Sequence, residues 1–130
     1  MEYILKIFPN NSINNLIIIF YLQIPNFIGT NRITAELKLI TNIDTNNLNI
    51  SLEGKIIIIE NADPGFDWIF ANKIAGLITM YGGGNSHMAI RAAEYQLPAA
   101  IGVGVSLFKK LLISNLIELD CNKKTIKTIR

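Results

Sequence analysis

Hydrophobic and polar residues alternate from Ile33 to Ile40, with Ile33, Ala35, Leu37 and Leu39 on one face, and this period of two predicts a half-buried strand. Lys55-Ile56-Ile57-Ile58-Ile59-Glu60 does not alternate, and a continuous β-branched run of this length predicts a strand buried on both faces. Thr41 to Asn49, between them, is an Asn/Asp/Thr loop. Asn61 to Gly65 breaks the chain, and Asp63-Pro64 opens a short helix through Phe66, Trp68, Ile69 and Phe70. Ala75 to Thr79 predicts a short buried strand. Gly82-Gly83-Gly84-Asn85-Ser86-His87 follows, and Met88 to Tyr95, free of Gly and Pro, predicts a helix with Asn85 or Ser86 as N-cap and Pro98 as its stop after Leu97. Ala99-Ala100-Ile101 is another short strand, then Gly102-Val103-Gly104 leads into a helical stretch through Leu107, Leu111 and Leu112. Leu116 to Asp120, a Cys121-Asn122-Lys123 turn and Thr125 to Ile129 predict a closing hairpin. The order of elements is that of a mixed α/β domain without internal repeats.

Before this pattern begins, Leu16 to Leu22 is the most apolar run, well short of the roughly 20 residues that cross a bilayer as a helix. It reads as a buried or edge strand. Glu2, Lys6 and the asparagines ahead of it do not make a signal peptide, so neither a membrane nor an export role is expected. Residues 1–25 are therefore either native-like in this chain or the end of a preceding domain, and the domain proper is expected over 26–130. At 130 residues there is no room for two catalytic domains. Twelve Lys+Arg against ten Asp+Glu give a net charge of +2, far from the basic stripe of a nucleic-acid binder. A single cysteine, Cys121, excludes an internal disulfide and a cysteine-built zinc site and fits a reducing, cytoplasmic setting.

The glycine loop invites comparison with phosphate-binding motifs. A Walker loop needs Lys before Ser/Thr, which Gly84-Asn85-Ser86 lacks, and Gly102-Val103-Gly104 has no third glycine for a dinucleotide fingerprint. Any role for imidazole falls on His87, the sole histidine. A lone histidine is commonly a buried or capping residue, but this one opens a helix directly after a glycine loop. The positive end of the helix dipole disfavours imidazolium there, leaving a neutral, nucleophilic ring. The same helix end and the loop amides would stabilise negative charge on a phosphoryl group captured by the ring. Adjacent Ser86 and His87 cannot face each other as nucleophile and base, which removes a Ser/His/Asp hydrolase. Asp63, Asp67, Glu94 and Cys121 show no metal-ligand spacing with His87, so no metal site is expected. Asp67, Trp68 and Phe70 read as capping and core residues rather than as a site.

Residues Gly76 to Gly102, GLITMYGGGNSHMAIRAAEYQLPAAIG, resemble the phosphohistidine, or swivelling, domain of phosphoenolpyruvate-utilising enzymes of the phosphoenolpyruvate synthase and pyruvate phosphate dikinase type. Leu52 to Ile57 before Asp63-Pro64-Gly65 resembles that family's lead-in, and the likeness runs over about residues 26 to 129. It implies the swivelling-domain fold, a mixed β/β/α sheet packed with short helices and closed by a C-terminal hairpin. It also implies a phosphoryl-accepting histidine at His87, with Ser86 in the Ser/Thr position before it and Thr79 ending the preceding strand. Gly82 and Gly83, with Gly84 beside them, correspond to the phosphate loop. The function implied is a phosphocarrier that loads at one active site and unloads at another. Partners follow from the resemblance too: an ATP-grasp domain with ATP and Mg2+, and in many relatives a barrel domain for phosphoenolpyruvate or pyruvate, in cis or in trans. No cofactor is expected on this chain alone.

The sequence departs from the family pattern at three places. Ala93 stands six residues after His87 where arginine is usual, and Arg91, four after it, is the phosphate contact that one helical turn would allow. Gln96 stands at the helix-ending glycine, and Phe27-Ile28-Gly29 at the opening Ser-Pro-Gly. These departures keep a second expectation open, a non-catalytic interaction or regulatory module on the same fold. The final phosphoryl acceptor, the oligomeric state and the role of residues 1–25 are not written in the sequence.

Overall fold

The computed structural model describes residues 24–41 and 51–130. The strand expected over Leu16 to Leu22, and all of the loop after Thr41 up to Asn49, lie outside them. The described chain runs β1 (Asn26–Ile28), β2 (Arg32–Leu39), β3 (Ile56–Ile59), a 3-10 segment (Pro64–Asn72), β4 (Gly76–Thr79), α1 (His87–Glu94), β5 (Ala99–Ile101), α2 (Val105–Leu112), β6 (Leu116–Asp120) and β7 (Thr125–Thr128). The strands form a mixed sheet in the order β1-β5-β4-β3-β2-β6-β7.

The sheet turns at β2, the longest strand. Its first five residues, Arg32 to Glu36, pair antiparallel with β6, and its last three, Leu37 to Leu39, pair parallel with β3. β3, β4 and β5 then run parallel, joined through the 3-10 segment and α1, while β1 closes that edge antiparallel to β5. β7 pairs with β6 as the closing hairpin. Parallel strands need crossovers that cover the faces of the sheet. The patterning supplies them: Ile57, Ile59, Leu77, Ala99 and Ile101 meet Met88, Ala89 and Ala92 of α1 and Phe66, Ile69 and Phe70 of the 3-10 segment. On the opposite face Ile56, Ile58, Ile78 and Ala100 meet Leu107, Phe108 and Leu111 of α2, along with Ile117 and Leu119 of β6. All four isoleucines of β3 are buried, which is why that run shows no polar alternation.

Two expectations are corrected, and one strand is added. β1 was not foreseen from the patterning: three residues are too few to establish a period of two, and the strand is fixed by pairing to β5 across the chain. Leu39 does not share the buried face of Ile33, Ala35 and Leu37; it is 40% exposed at the end of β2, and Ile40 turns into the other core instead. The short helix after Asp63 is 3-10 throughout, with Asp63 as its N-cap accepting from Gly65 N–H at 2.7 Å. The end of α1 needs a left-handed residue, and Gln96 takes it at φ 54°. Leu97 N–H donates to Ala92 C=O and Gln96 N–H to Ala93 C=O, a Schellman closure made without glycine. No helix among the described residues is long and apolar enough to cross a membrane.

Candidate functional site

The carboxyl ends of parallel strands are where α/β sheets present ligands, and the glycine loop leaves β4 at that end. Met80 and Tyr81 still donate to Ile59 and Glu60 C=O, so the loop proper begins at Gly82. Gly82 has φ 126°, and a Cβ built on it would lie 2.7 Å from Ala62 Cβ and 3.2 Å from Ile101 Cγ2. A glycine is required there. Gly83 faces open space, and its C=O accepts from Ser86 N–H at 3.0 Å. A Cβ on Gly84 would lie 3.3 Å from Asn26 Oδ1.

Ser86 is the N-cap of α1. Its backbone is extended (φ −68°, ψ 158°), its Oγ accepts from Ala89 N–H at 3.3 Å, and its C=O accepts from Ile90 N–H. His87 is therefore the first residue of α1, where backbone N–H groups have no intrahelical acceptor. Its ring stays at the surface, with 40% of the side chain exposed. Thr79 occupies the opposite kind of place. It is fully buried, its hydroxyl donates to Tyr81 C=O at 2.8 Å and accepts from Gly102 N–H at 3.0 Å, and its C=O takes Gly102 and Val103 N–H. Thr79 thus ties the loops after β4 and β5 together beneath the exposed face, with both roles of its hydroxyl in use.

The side chain that meets His87 is Asp67. His87 Nε2 lies 3.0 Å from Asp67 Oδ1, and the same carboxylate accepts from Arg91 Nε at 2.9 Å and Arg91 Nη2 at 3.4 Å. Arg91 also donates to Glu94 Oε2 at 2.8 Å and Tyr95 Oη at 3.1 Å. Its guanidinium lies 4.9 Å from the centre of the Tyr95 ring, which stacks at 5.2 Å on Phe70. Arg91 and His87, one turn apart on α1, are thus joined through Asp67 of the 3-10 segment. The Arg91 hydrogen bond holds the Asp67 carboxyl below the usual carboxylate range; partial burial opposes this and His87 adds to it. Arg91 is in turn held more firmly protonated, first by Asp67 and then by Glu94.

Of the sequence candidates, the structure gathers Gly82, Gly83, Gly84, Ser86 and His87 in one loop and helix start, sets Thr79 below them, and connects Arg91 to His87 at one remove. Asp67 was missed, and its assignment to capping and core is corrected: Asp63 is the cap, and the Asp67 carboxylate faces His87 and Arg91. Twenty residues separate it from His87, so no local spacing could have found it. Only the packing of Phe66, Ile69 and Phe70 against the α1 side of the sheet brings it there.

The sequence profile of the PEP-utilising enzyme, mobile domain, matches residues 51–124. Over 71 residues the chain is 37% identical to rifampicin phosphotransferase from Bacillus cereus, a span of 55% of this chain and 8% of that protein. Over 61 residues it is 39% identical to phosphoenolpyruvate synthase from Helicobacter pylori, 46% of this chain and 7% of that protein. The matched part is thus under a tenth of either relative's length. Among solved structures, a UPF0107 protein superposes with a TM-score of 0.61 at 13% identity, covering 83% of this chain and 98% of that one. A structure of Enzyme I superposes with a TM-score of 0.52 at 22% identity, covering 66% of this chain and 34% of that one. At these identities the two superpositions speak for the fold alone.

Proposed function

Because the chain belongs to the family of mobile domains of PEP-utilising enzymes, we propose that it is a phosphocarrier, with His87 as the residue that takes up and hands on the phosphoryl group. One observation carries the reading: the sole histidine is exposed at the first residue of α1, directly after a glycine loop at the carboxyl end of a parallel strand. The lone pair of a ring nitrogen forms the N–P bond while the P–O bond to the donor breaks and its electron pair leaves with the donor oxygen. Backbone N–H groups at the start of α1 would meet the negative charge that arrives. The ring proton is shed as the phosphoramidate becomes neutral on nitrogen, and the reverse sequence unloads the group to an acceptor.

Phosphoryl transfer depends on cations placed around the transferring group. Arg91 is already shared by Asp67, Glu94 and Tyr95, so donor-side charge would come from partner domains. The reading therefore includes an ATP-grasp domain with ATP and Mg2+ and a second, acceptor-binding domain such as a phosphoenolpyruvate or pyruvate barrel, in a cytoplasmic setting. The relatives' names, a phosphotransferase and a synthase, support such a multidomain context. The test is incubation of the full chain with ATP, Mg2+ and an ATP-binding domain of the phosphoenolpyruvate synthase type that is active on its own mobile domain. An acid-labile, alkali-stable phosphate on the wild type and none on His87→Ala is expected. An unlabelled wild type in that active mixture would overturn the reading.

The saturation of Arg91 by two carboxylates favours one second reading, a non-catalytic interaction module that keeps the fold. It predicts partner binding equal in wild type and His87→Ala, with no phosphate on either.

A further inference from the structure

We propose that Asp67 masks His87: in the unloaded domain its carboxylate occupies Nε2, holding the place a phosphoryl group would take, and it must let go before that nitrogen can react. The proposal rests on the phosphocarrier reading of His87 and adds to it a contact that restrains the ring rather than assisting it. Three observations carry it. Nε2 lies 3.0 Å from Asp67 Oδ1, within hydrogen-bond range. Arg91 holds the carboxylate in that place, with Nε 2.9 Å from the same Oδ1 and Nη2 3.4 Å from Oδ2, and is itself fixed by Glu94 and Tyr95. The Arg91 hydrogen bond also keeps the Asp67 carboxyl below the usual carboxylate range, so it is ionised at neutral pH and can only accept.

An acceptor-only partner puts the ring proton on Nε2 and the lone pair on Nδ1. Attack through Nε2 then needs a set order of events. The contact opens, the Nε2 proton passes to solvent, and Nδ1 takes one up. Only then does the Nε2 lone pair form the N–P bond, while the P–O bond to the donor breaks and its electron pair leaves with the donor oxygen; the Nδ1 proton is shed afterwards. An oxygen of the phosphoryl group takes over the place of Oδ1, between Nε2 and Arg91 Nε. Asp67 stays ionised beside that group and repels it, so one carboxylate slows loading and favours unloading. With 40% of its side chain exposed, the ring would otherwise be open to any phosphoryl donor in solution.

The single histidine makes the masking directly readable in the 15N-labelled full chain. At about pH 8, above the ordinary histidine range, long-range 1H–15N correlation separates the Nε2–H from the Nδ1–H tautomer. The folded wild type should show more Nε2–H than the same chain unfolded in urea. Asp67→Ala should move the ratio toward Nδ1–H by about three- to tenfold, the range for one partly exposed hydrogen bond to a charged group. Potassium phosphoramidate then serves as a donor that needs no docking: its P–N bond breaks, and the electron pair leaves with nitrogen, which takes a proton and departs as ammonia. Alkaline digestion and chromatography separate the Nε2 and Nδ1 phosphohistidines formed early in the reaction. Asp67→Ala should raise the Nε2 to Nδ1 product ratio by about three- to tenfold over wild type, again the worth of that one hydrogen bond. Asp67→Glu, which keeps the charge on a longer arm, should fall between the two. Asp63, not Asp67, caps the 3-10 segment, so these variants keep the fold, which matching far-UV spectra verify. A wild-type tautomer ratio that is the same folded and unfolded, or an Asp67→Ala product ratio at or below that of wild type, overturns the masking role. Neither result touches the phosphocarrier reading, which falls instead if the wild type stays unlabelled in the active mixture with ATP, Mg2+ and the ATP-binding domain.

Discussion

Replacing Gly82 with alanine, alongside the same change at Gly83, tests whether the loop that presents His87 is fixed by close packing or merely rich in glycine. At Gly82 two costs add. A non-glycine residue at φ 126° sits in sparsely populated backbone space, a penalty of about 1–3 kcal/mol. The new methyl would also lie 2.7 Å from Ala62 Cβ and 3.2 Å from Ile101 Cγ2, and neither neighbour is the far end of a flexible side chain. Forcing such an overlap costs about 1–3 kcal/mol more. The expected loss is therefore about 2–6 kcal/mol, a large part of the roughly 5–15 kcal/mol that stabilises a domain. Gly83 has an ordinary φ and nothing within 4 Å of a built Cβ, so its alanine variant should stay within about 0.5 kcal/mol of wild type. Urea unfolding followed by far-UV circular dichroism and by Trp68 fluorescence reads the difference. With a slope of about 1.5–2 kcal/mol/M, the Gly82→Ala midpoint should fall at least about 1 M below that of Gly83→Ala. Two variants with the same midpoint would refute the packed-loop account, in which Gly82 lies too close to Ala62 and Ile101 to carry a side chain.

Two further variants probe the ends of the same helix and its partner. Gln96→Gly should raise stability by about 0.5–1 kcal/mol in the same urea assay, because it relieves a left-handed side chain at φ 54° at the cost of a more flexible unfolded chain; a loss of stability would show that the Gln96 side chain contributes contacts of its own. Asp67→Asn should lose, relative to wild type, a stability increment present above the unfolded carboxylate range. That increment falls away as pH drops through the lowered folded value, so the two proteins should converge in acid below the usual carboxylate range. With 40% of the side chain exposed, screening limits the gap at neutral pH to under about 1 kcal/mol, and a gap that widens in acid would contradict the assigned direction.

What could be read in advance follows from where each signal resides. β3, α1 and the β6–β7 hairpin carry their periods within a few residues, and their positions were legible from Ile56–Ile59, from Met88, Ala89 and Ala92, and from the turn at Cys121 to Lys123. The N-cap at Ser86 was legible for the same reason, since capping is a local matter of side-chain oxygen and missing N–H, whereas α1 ends at Glu94, before the stop expected after Leu97, and is closed by the left-handed Gln96. β1 and Asp67 were not legible, because each is defined by a partner far away in sequence: Ala99 to Ile101 for the strand, His87 and Arg91 for the carboxylate. Leu39 fell between the two cases. It lies in β2 as expected, but its side chain is exposed while Ile40 beside it is buried, and period alone does not say which residues at a strand's end are covered.

The contrast between Thr79 and His87 bears on how such a site could pass a group between two partners. Thr79, at the end of β4, spends its hydroxyl and its carbonyl on the loops after β4 and β5, and is wholly buried. His87, eight residues later, stands on a helix whose inner face, Met88, Ala89 and Ala92, is locked into the core while the ring itself remains accessible. The Thr79 groups that tie the two loops together are therefore satisfied internally, while among the described residues the His87 ring meets the half-exposed Asp67 carboxylate. A domain that had to rearrange its own loop at each encounter would lose hydrogen bonds in the buried set, each costing about 1–3 kcal/mol when left unmade. On the phosphocarrier reading, movement of the whole domain between partners would leave the hydrogen bonds of its scaffold intact, so the barrier to hand-off would reside in docking rather than in the sheet.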